Sequence, residues 1–424
     1  MEEKNVAAIA DDIAPDTGKP MPKSVMIRFG IGFIVFNIMW MMAGTAGSAV
    51  LLPDRFNGLG IGSGEAVLAS MNSIGIIFAL IANIVFGALS DGTRSRFGKR
   101  TPWIIPGGLI AGLAYFMTSN ATTLVGIVAW WSVLQIGLNM MIAPCVAILS
   151  DRVPQKIRGT LSAFYGVGQI VGQSLGTMIG AAFITNPKPG FLVGTVIWVL
   201  TGIVVVLIIP RELPATSGEK ITVKEMVMQF RPPVKGARDF YLALVGRLAM
   251  IFGYNMIMGY QLYVTQKYIG LDKVEAAATV STMATIVMVI SLITSLASGP
   301  ISDKIGKRKL PVFVASAIMA VGLAIPWLAP TKTSMLIFAA VMAVGYGIYM
   351  AVDQALNVDV LPNPDEAGKD LGILNLANTV GQVLAPIATS SIVLATGSYA
   401  LTFPCAIVAV MAGAVLILFI KKAK

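Results

Sequence analysis

The chain has 424 residues, of which 12% are charged and 56% apolar, whereas a soluble globular protein carries about 25% charged residues. That scarcity of charge excludes a set of soluble domains of this total length, and the apolar content excludes a disordered or collagen-like chain. Histidine is absent, which removes Ser-His-Asp and Cys-His catalysis and most zinc sites; no enzymatic activity, metal or cofactor is expected.

Residues 1–26 are acidic and Pro-bearing and read as a disordered tail, not a cleaved signal peptide. A membrane span needs about 20 mostly apolar residues. Twelve such segments follow, at 27–52, 65–89, 102–119, 123–149, 159–185, 190–210, 239–265, 275–300, 310–329, 333–360, 370–396 and 398–420. The expected fold class is therefore an all-α integral membrane protein in two six-helix bundles, 27–210 and 239–420. A linker at 211–238 joins the bundles, and a short tail occupies 421–424.

Taken in chain order, the spans carry these features. Span 1 holds Asn37 and Trp40. Span 2 ends in Gly87-Ala-Leu-Ser90-Asp91, and the loop after it holds Arg94, Arg96, Gly98-Lys99-Arg100 and Pro102. Span 4 holds Trp131, Gln135 and Asn139, with Cys145 as a small apolar core residue. Span 5 has Gly168, Gly172, Gly176 and Gly180, a small residue at every fourth position that permits close helix approach. Its amides are Gln169 and Gln173.

Span 7 places Arg247, Tyr254 and Gln261 seven residues apart, on one helical face. Span 8 ends in Gly299-Pro-Ile-Ser302-Asp303, followed by Gly306-Lys307-Arg308 and Pro311. Span 10 aligns Tyr346, Tyr349, Asp353 and Asn357 on one face, span 11 offers Asn375, Asn378 and Gln382, and Cys405 lies alone in span 12.

The net charge of +10 is explained by topology and not by nucleic-acid binding. The great majority of the 31 Lys and Arg fall on one side: the N-terminal end, loops 2–3, 4–5 and 8–9, the linker, Lys369 and the C-terminus. Arg55, Lys188, Lys267, Lys273 and Lys332 fall on the other, and Arg247 falls within a span. By the positive-inside rule both termini are expected to be cytoplasmic, in a cell (plasma or inner) membrane. Bilayer lipid and a small solute are the expected partners, and a monomer is expected.

The motif after span 2 repeats after span 8, its Asp residues 212 apart. Asp151-Arg-Val-Pro154 before span 5 likewise matches Asp359-Val-Leu-Pro362 before span 11, and Gly168-Gln169 matches Gly381-Gln382. Two parallel six-span repeats resemble the major facilitator transporters. The segment Ser90-Asp91-Gly-Thr-Arg94-Ser-Arg96-Phe-Gly98-Lys99-Arg100-Thr-Pro102-Trp103 resembles that of sucrose:proton symporters and of the related glycoside-pentoside-hexuronide:cation symporters. Sodium-coupled members of the latter carry two carboxylates four residues apart on span 2. Ala79 and Asn83 stand at the matching positions here, so that cation site is absent.

The resemblance implies alternating access, with spans 7 and 10 as neighbours beside a central site. Arg247 then lies roughly 12 Å, and Asp353 roughly 10 Å, from the cytoplasmic ends of their spans. Intramembrane charges are costly and usually functional, and these depths match, so the two are expected to pair and to couple transport to protons. A permanently ionised pair that fixes helix register is the competing reading. The amides, phenols and indoles named above in spans 1, 4, 7, 10 and 11 suit a hydroxyl-rich neutral solute such as a sugar or glycoside.

Asp91, Arg94, Arg96, Gly98, Lys99 and Arg100, with Asp303, Lys307 and Arg308, are expected to form a cytoplasmic gate. In it each Asp would accept bonds from helix N-terminal amides or Arg groups of the opposite half in one conformation and release them in the other. The alternatives left open are a facilitator for a drug or organic ion, and an uncoupled uniporter.

Overall fold

The computed structural model describes residues 13–215, 232–234, 236–362 and 367–422, the side chains at 159, 299, 300, 303, 354 and 367–369 excepted. Twelve helices fall where the hydropathy pattern places the spans. They are α1 (Lys23–Thr45), α2 (Gly64–Asp91), α3 (Thr101–Asn120), α4 (Leu124–Arg152), α5 (Gln155–Ala182) and α6 (Pro187–Ile208). In the second half they are α7 (Arg238–Met258), α8 (Lys273–Ile305), α9 (Lys309–Leu328), α10 (Lys332–Asp359), α11 (Ala367–Thr396) and α12 (Thr402–Leu418). Nine helical segments among the described residues are long and apolar enough to cross a membrane. Their outer faces show rows of exposed apolar side chains, such as Ile77, Ile81 and Leu89 on α2 and Val289, Ile293 and Leu296 on α8. Such rows suit a lipid environment and not an aqueous one.

The helix boundaries have local causes. Thr123 caps α4 by accepting the Gly126 amide, Asp272 caps α8 by accepting the amides of Val274 and Glu275, and Thr331 and Ser334 form a capping box at α10. The duplicated loops turn on matched glycines, Gly98 at φ +90° and Gly306 at φ +65°, a backbone region that favours glycine.

Three features depart from the expected spans. The tail is not disordered throughout: Ile13–Ala14 pairs antiparallel with Lys19–Pro20, and α1 begins at Lys23. This small hairpin docks through Asp16, which accepts from Arg152 Nε at 2.8 Å, while Arg152 also donates to the carbonyls of Pro210 and Arg211. Span 1 continues beyond α1 as a π-helical turn, Ala46–Leu51, and a short helix, Leu52–Asn57. Span 7 is interrupted: Tyr260, at φ −121° and ψ 16°, leaves the helical basin, and a three-residue turn and a second π-helical turn, Val264–Tyr268, follow.

The chain forms two compact units: Met1–Gly47 with Ile74–Gly176 and Lys188–Met226, and Ser48–Ser73 with Thr177–Pro187 and Val227–Lys424. These differ from the sequence halves, because residues 48–73 and 177–187 join the second unit. Part of the reason is a shared apolar cluster of Val50, Ile184, Leu262, Ala276, Ala277 and Val280.

Within the first unit, the span 5 glycines act in packing. A Cβ on Gly168 would lie 2.7 Å from the Ile34 carbonyl oxygen, and one on Gly172 would lie 2.7 Å from that of Ile38. The backbones of α1 and α5 therefore touch.

Candidate functional site: a buried charge pair and two matched loop networks

In the second unit, Arg247 of α7 and Asp353 of α10 meet, with Nη1 to Oδ2 at 3.1 Å and each side chain only 4% exposed. An ion pair this dry is stable only when its remaining hydrogen-bonding groups are also satisfied. Arg247 Nε donates to Asn378 Oδ1 of α11 at 2.9 Å, and Asn357 Nδ2 donates to Asp353 Oδ2 at 3.0 Å. The Tyr349 phenol is buried beside the same carboxylate. Three helices thus contribute to one polar cluster, built from residues that the helical spacing had set on facing stripes.

Seven residues along each helix, the Tyr254 and Tyr346 rings stack with centroids 4.6 Å apart and planes 12° from parallel. Seven residues span roughly 10.5 Å of helix, so α7 and α10 contact each other polarly at one level and aromatically two turns away. The Tyr254 hydroxyl and Asn357 Oδ1 have no hydrogen-bond partner among the described residues.

Other expected residues are placed differently. The break at Gly259–Tyr260 takes Gln261 out of register with Arg247 and Tyr254, and it lies buried in the turn that follows. This corrects the reading of one continuous seven-residue stripe. Asn375 and Gln382 are exposed on α11.

In the first unit, Asn37 is spent locally: it donates to the Phe33 carbonyl at 2.8 Å and accepts from Trp40 Nε1 at 3.0 Å. Asn83 donates to Asn139 at 3.1 Å, and Asn139 donates to the Gln135 carbonyl at 2.9 Å. The Trp131 ring packs on Gly75, where a Cβ would lie 2.6 Å from Cδ1, with Gln135 alongside. The Trp131 indole N–H is buried without a partner among the described residues.

The loop after α2 is a network centred on Arg100, whose side chain is 3% exposed. Its Nε and Nη2 donate to Asp151 at 2.9 and 2.7 Å, its Nη1 to Ser90 Oγ at 2.5 Å and the Gly87 carbonyl at 3.3 Å, and its Nη2 also to Asp91. All five N–H groups of the guanidinium are engaged. Lys99 lies 3.0 Å from Asp151. The described partners of Asp91, Arg100 and Lys99 belong to their own unit. Arg94 and Arg96 are exposed, Arg96 lying over the Phe97 ring at 4.8 Å.

Sequence reading missed the carboxylate that completes this network. Glu212, from the start of the linker, is 8% exposed and accepts the amides of Arg100 and Thr101 at about 3.0 Å, capping the N-terminus of α3. A Cβ on Gly98 would collide with the Glu212 side chain, so the glycine serves both the turn and this docking.

After α8, Arg308 Nη1 donates to Ser302 Oγ at 2.9 Å, Ser302 donates to the Lys307 carbonyl, and Arg308 Nε lies 3.9 Å from Asp359. Arg100, Ser90 and Asp151 thus have spatial counterparts in Arg308, Ser302 and Asp359. The side chain of Asp303 lies outside the described residues, as do Lys220, Lys224, Arg231 and Lys235 of the linker.

The family model described as Major Facilitator Superfamily matches residues 29–331 and, a second time, 244–424. An uncharacterised MFS-type transporter of Methanocaldococcus jannaschii is 24% identical over 321 residues, covering 74% of this chain and 76% of that relative. The crystal structure of a D-xylose–proton symporter shares the fold with a TM-score of 0.69 over 94% of this chain and 99% of that one, at 17% identity. An inward-facing, unoccupied bacterial homologue of the human lysosomal transporter Spinster gives 0.66 over 94% and 95%, at 14% identity. At such identities the solved structures establish the fold alone.

Proposed function

The chain belongs to the Major Facilitator Superfamily, and on that premise we propose that it carries a sugar or glycoside across the cell membrane together with protons, by alternating access. That it is a multi-pass membrane transporter of a small solute, and not an enzyme, follows from the family. The sugar, the proton and a cytoplasmic position for both termini are the further reading.

One observation carries it: the sealed Arg247–Asp353 pair with Asn357 and Asn378 around it. A carboxylate is the partner in this pair that can take up a proton. Protonation of Asp353 leaves a neutral acid beside a fixed cation and removes most of the attraction between α7 and α10 at that level. A transporter whose two conformations hold this pair differently is then shifted between them by the proton. The Tyr254–Tyr346 stack, with its unpartnered Tyr254 hydroxyl, supports a solute with an apolar C–H face and hydroxyl edges. The fold shared with a D-xylose–proton symporter is in keeping with that class.

The test is uptake of labelled sugars into proteoliposomes under an imposed pH gradient, after a thermal-shift screen of sugars on the purified protein. Uphill accumulation with alkalinisation of the outer medium is expected for the parent. Asp353→Asn is expected to lose accumulation while keeping downhill exchange. Proton-driven accumulation by Asp353→Asn would remove the coupling role, and a screen in which no sugar stabilises the protein would remove the solute class.

A further inference from the structure

The second unit holds another buried carboxylate that the transport reading does not use. Glu65, in the first turn of α2, is 2% exposed. Its Oε1 accepts from Lys267 Nζ at 2.6 Å and from the Tyr399 hydroxyl at 3.1 Å. Its backbone carbonyl is 3.4 Å from the Tyr260 hydroxyl, which also donates to the Pro386 carbonyl at 3.1 Å. Beside it, Tyr263 donates to the Pro53 carbonyl at 2.8 Å, the Lys267 ammonium lies 5.1 Å from the Tyr263 ring centroid, and Lys273 pairs with Asp54 at 2.9 Å. Gly64 leaves the room: a Cβ there would collide with the Tyr263 hydroxyl.

These contacts link residues 53–65, from the first sequence half, to residues 260–273 and 399, from the second. All of them lie at the helix ends remote from the chain termini. The first of these segments follows a π-helical turn, and the second contains one. The π-helical turns Ala46–Leu51 and Val264–Tyr268 sit at like positions after α1 and in the continuation of α7, and Lys267 belongs to the second. Such turns bend more readily than regular helix and recur at functional sites. In the first, the division between the compact units passes between Gly47 and Ser48.

We propose that Glu65 is the anchor of a latch that ties the α1–α2 connection to the continuation of α7 and to the α11–α12 connection, with Lys267 and Tyr399 as its partners and the two π-helical turns as the places that bend when it releases. Glu65 is a positioning residue in this role and touches no solute. The Glu65 carboxylate is sealed from water and held by a phenol and by the ammonium of a Lys267 side chain that is 44% exposed: once Lys267 withdraws into solvent, the remaining charge is stable only in water. That property suits a latch with two states.

The test is hydrogen exchange followed by mass spectrometry on the purified protein without solute or pH gradient, so that it is independent of the sugar and the proton. Glu65→Gln is expected to raise exchange about tenfold or more in residues 46–57 and 260–268, with the segment around Arg247 and Asp353 unchanged. Lys267→Met is expected to act on the same peptides, and the double variant to add little to either single change. Tyr399→Phe, which removes one hydroxyl and keeps the ring, is expected to give a smaller rise confined to those peptides, and it carries the test if Glu65→Gln does not fold. Unchanged exchange at 46–57 and 260–268, or a rise spread evenly over the whole chain, would overturn the latch.

Discussion

A charge sealed inside a protein is tolerated for its partner's sake, and this is the scale at which Arg247 and Asp353 are best judged. Each has lost its water, and each depends on the other at 3.1 Å. Removing one member strands the other at a cost of about 3–5 kcal/mol, whereas replacing both with apolar groups can be close to neutral. Arg247→Met is therefore expected to lower thermal stability in detergent sharply, and Arg247→Met with Asp353→Leu to recover most of the loss. A double variant as unstable as the single would mean that Asn357 and Asn378, and not the mutual charge, hold α7, α10 and α11 together at this level.

Between elements, contact is set by what is missing from glycine. The α1 and α5 backbones touch because Gly168 and Gly172 present no side chain to the carbonyls of Ile34 and Ile38. Gly172→Leu is expected to cost at least about 1–3 kcal/mol through overpacking, read as a lower unfolding temperature and a smaller folded yield. An unaffected variant would show that the two helices can part freely there.

The same scale shows what could be read in advance. Span positions were legible because a helix of apolar residues averages over its own irregularities. The Arg247–Asp353 pair was legible because matched depth in neighbouring spans leaves few other partners. The kink at Tyr260 and the π-helical turn after it were not, because the partners of Tyr260, Tyr263 and Lys267 lie far away in the chain and local composition does not announce them. Glu65 and Glu212 were missed for a related reason. Each stands at the edge of an apolar segment, where a carboxylate is ordinarily solvated, and their partners lie 202 and 112 residues away in the chain.

Across the whole molecule, the duplication survives as geometry with unequal burial. Arg100 is 3% exposed and bonds Asp151 at 2.7 Å, while its counterpart Arg308 is 22% exposed and stands 3.9 Å from Asp359. Arg100→Ala is expected to cost about 1–3 kcal/mol, since it strips the buried Ser90 hydroxyl and the part-exposed carboxylates of Asp91 and Asp151 of their guanidinium partner, and Arg308→Ala less, since Arg308 is the more exposed of the two. Equal losses in thermal unfolding would mean that the two loops are energetically equivalent despite their different burial.

Both repeats also join their first helix to their last. Arg28 donates to the carbonyls of Leu207 and Ile208, tying the start of α1 to the end of α6. Asp239 accepts the amides of Lys421 and Lys422, tying the start of α7 to the segment after α12. The two ties have opposite polarity, a cation on carbonyls in one and an anion on amides in the other. Each repeat thus fastens its own first helix to its own last, although residues 48–73 and 177–187 pack with the second unit. Chain ends held together in this way favour circular permutation with a cut between the repeats, since the ends of each half stay paired.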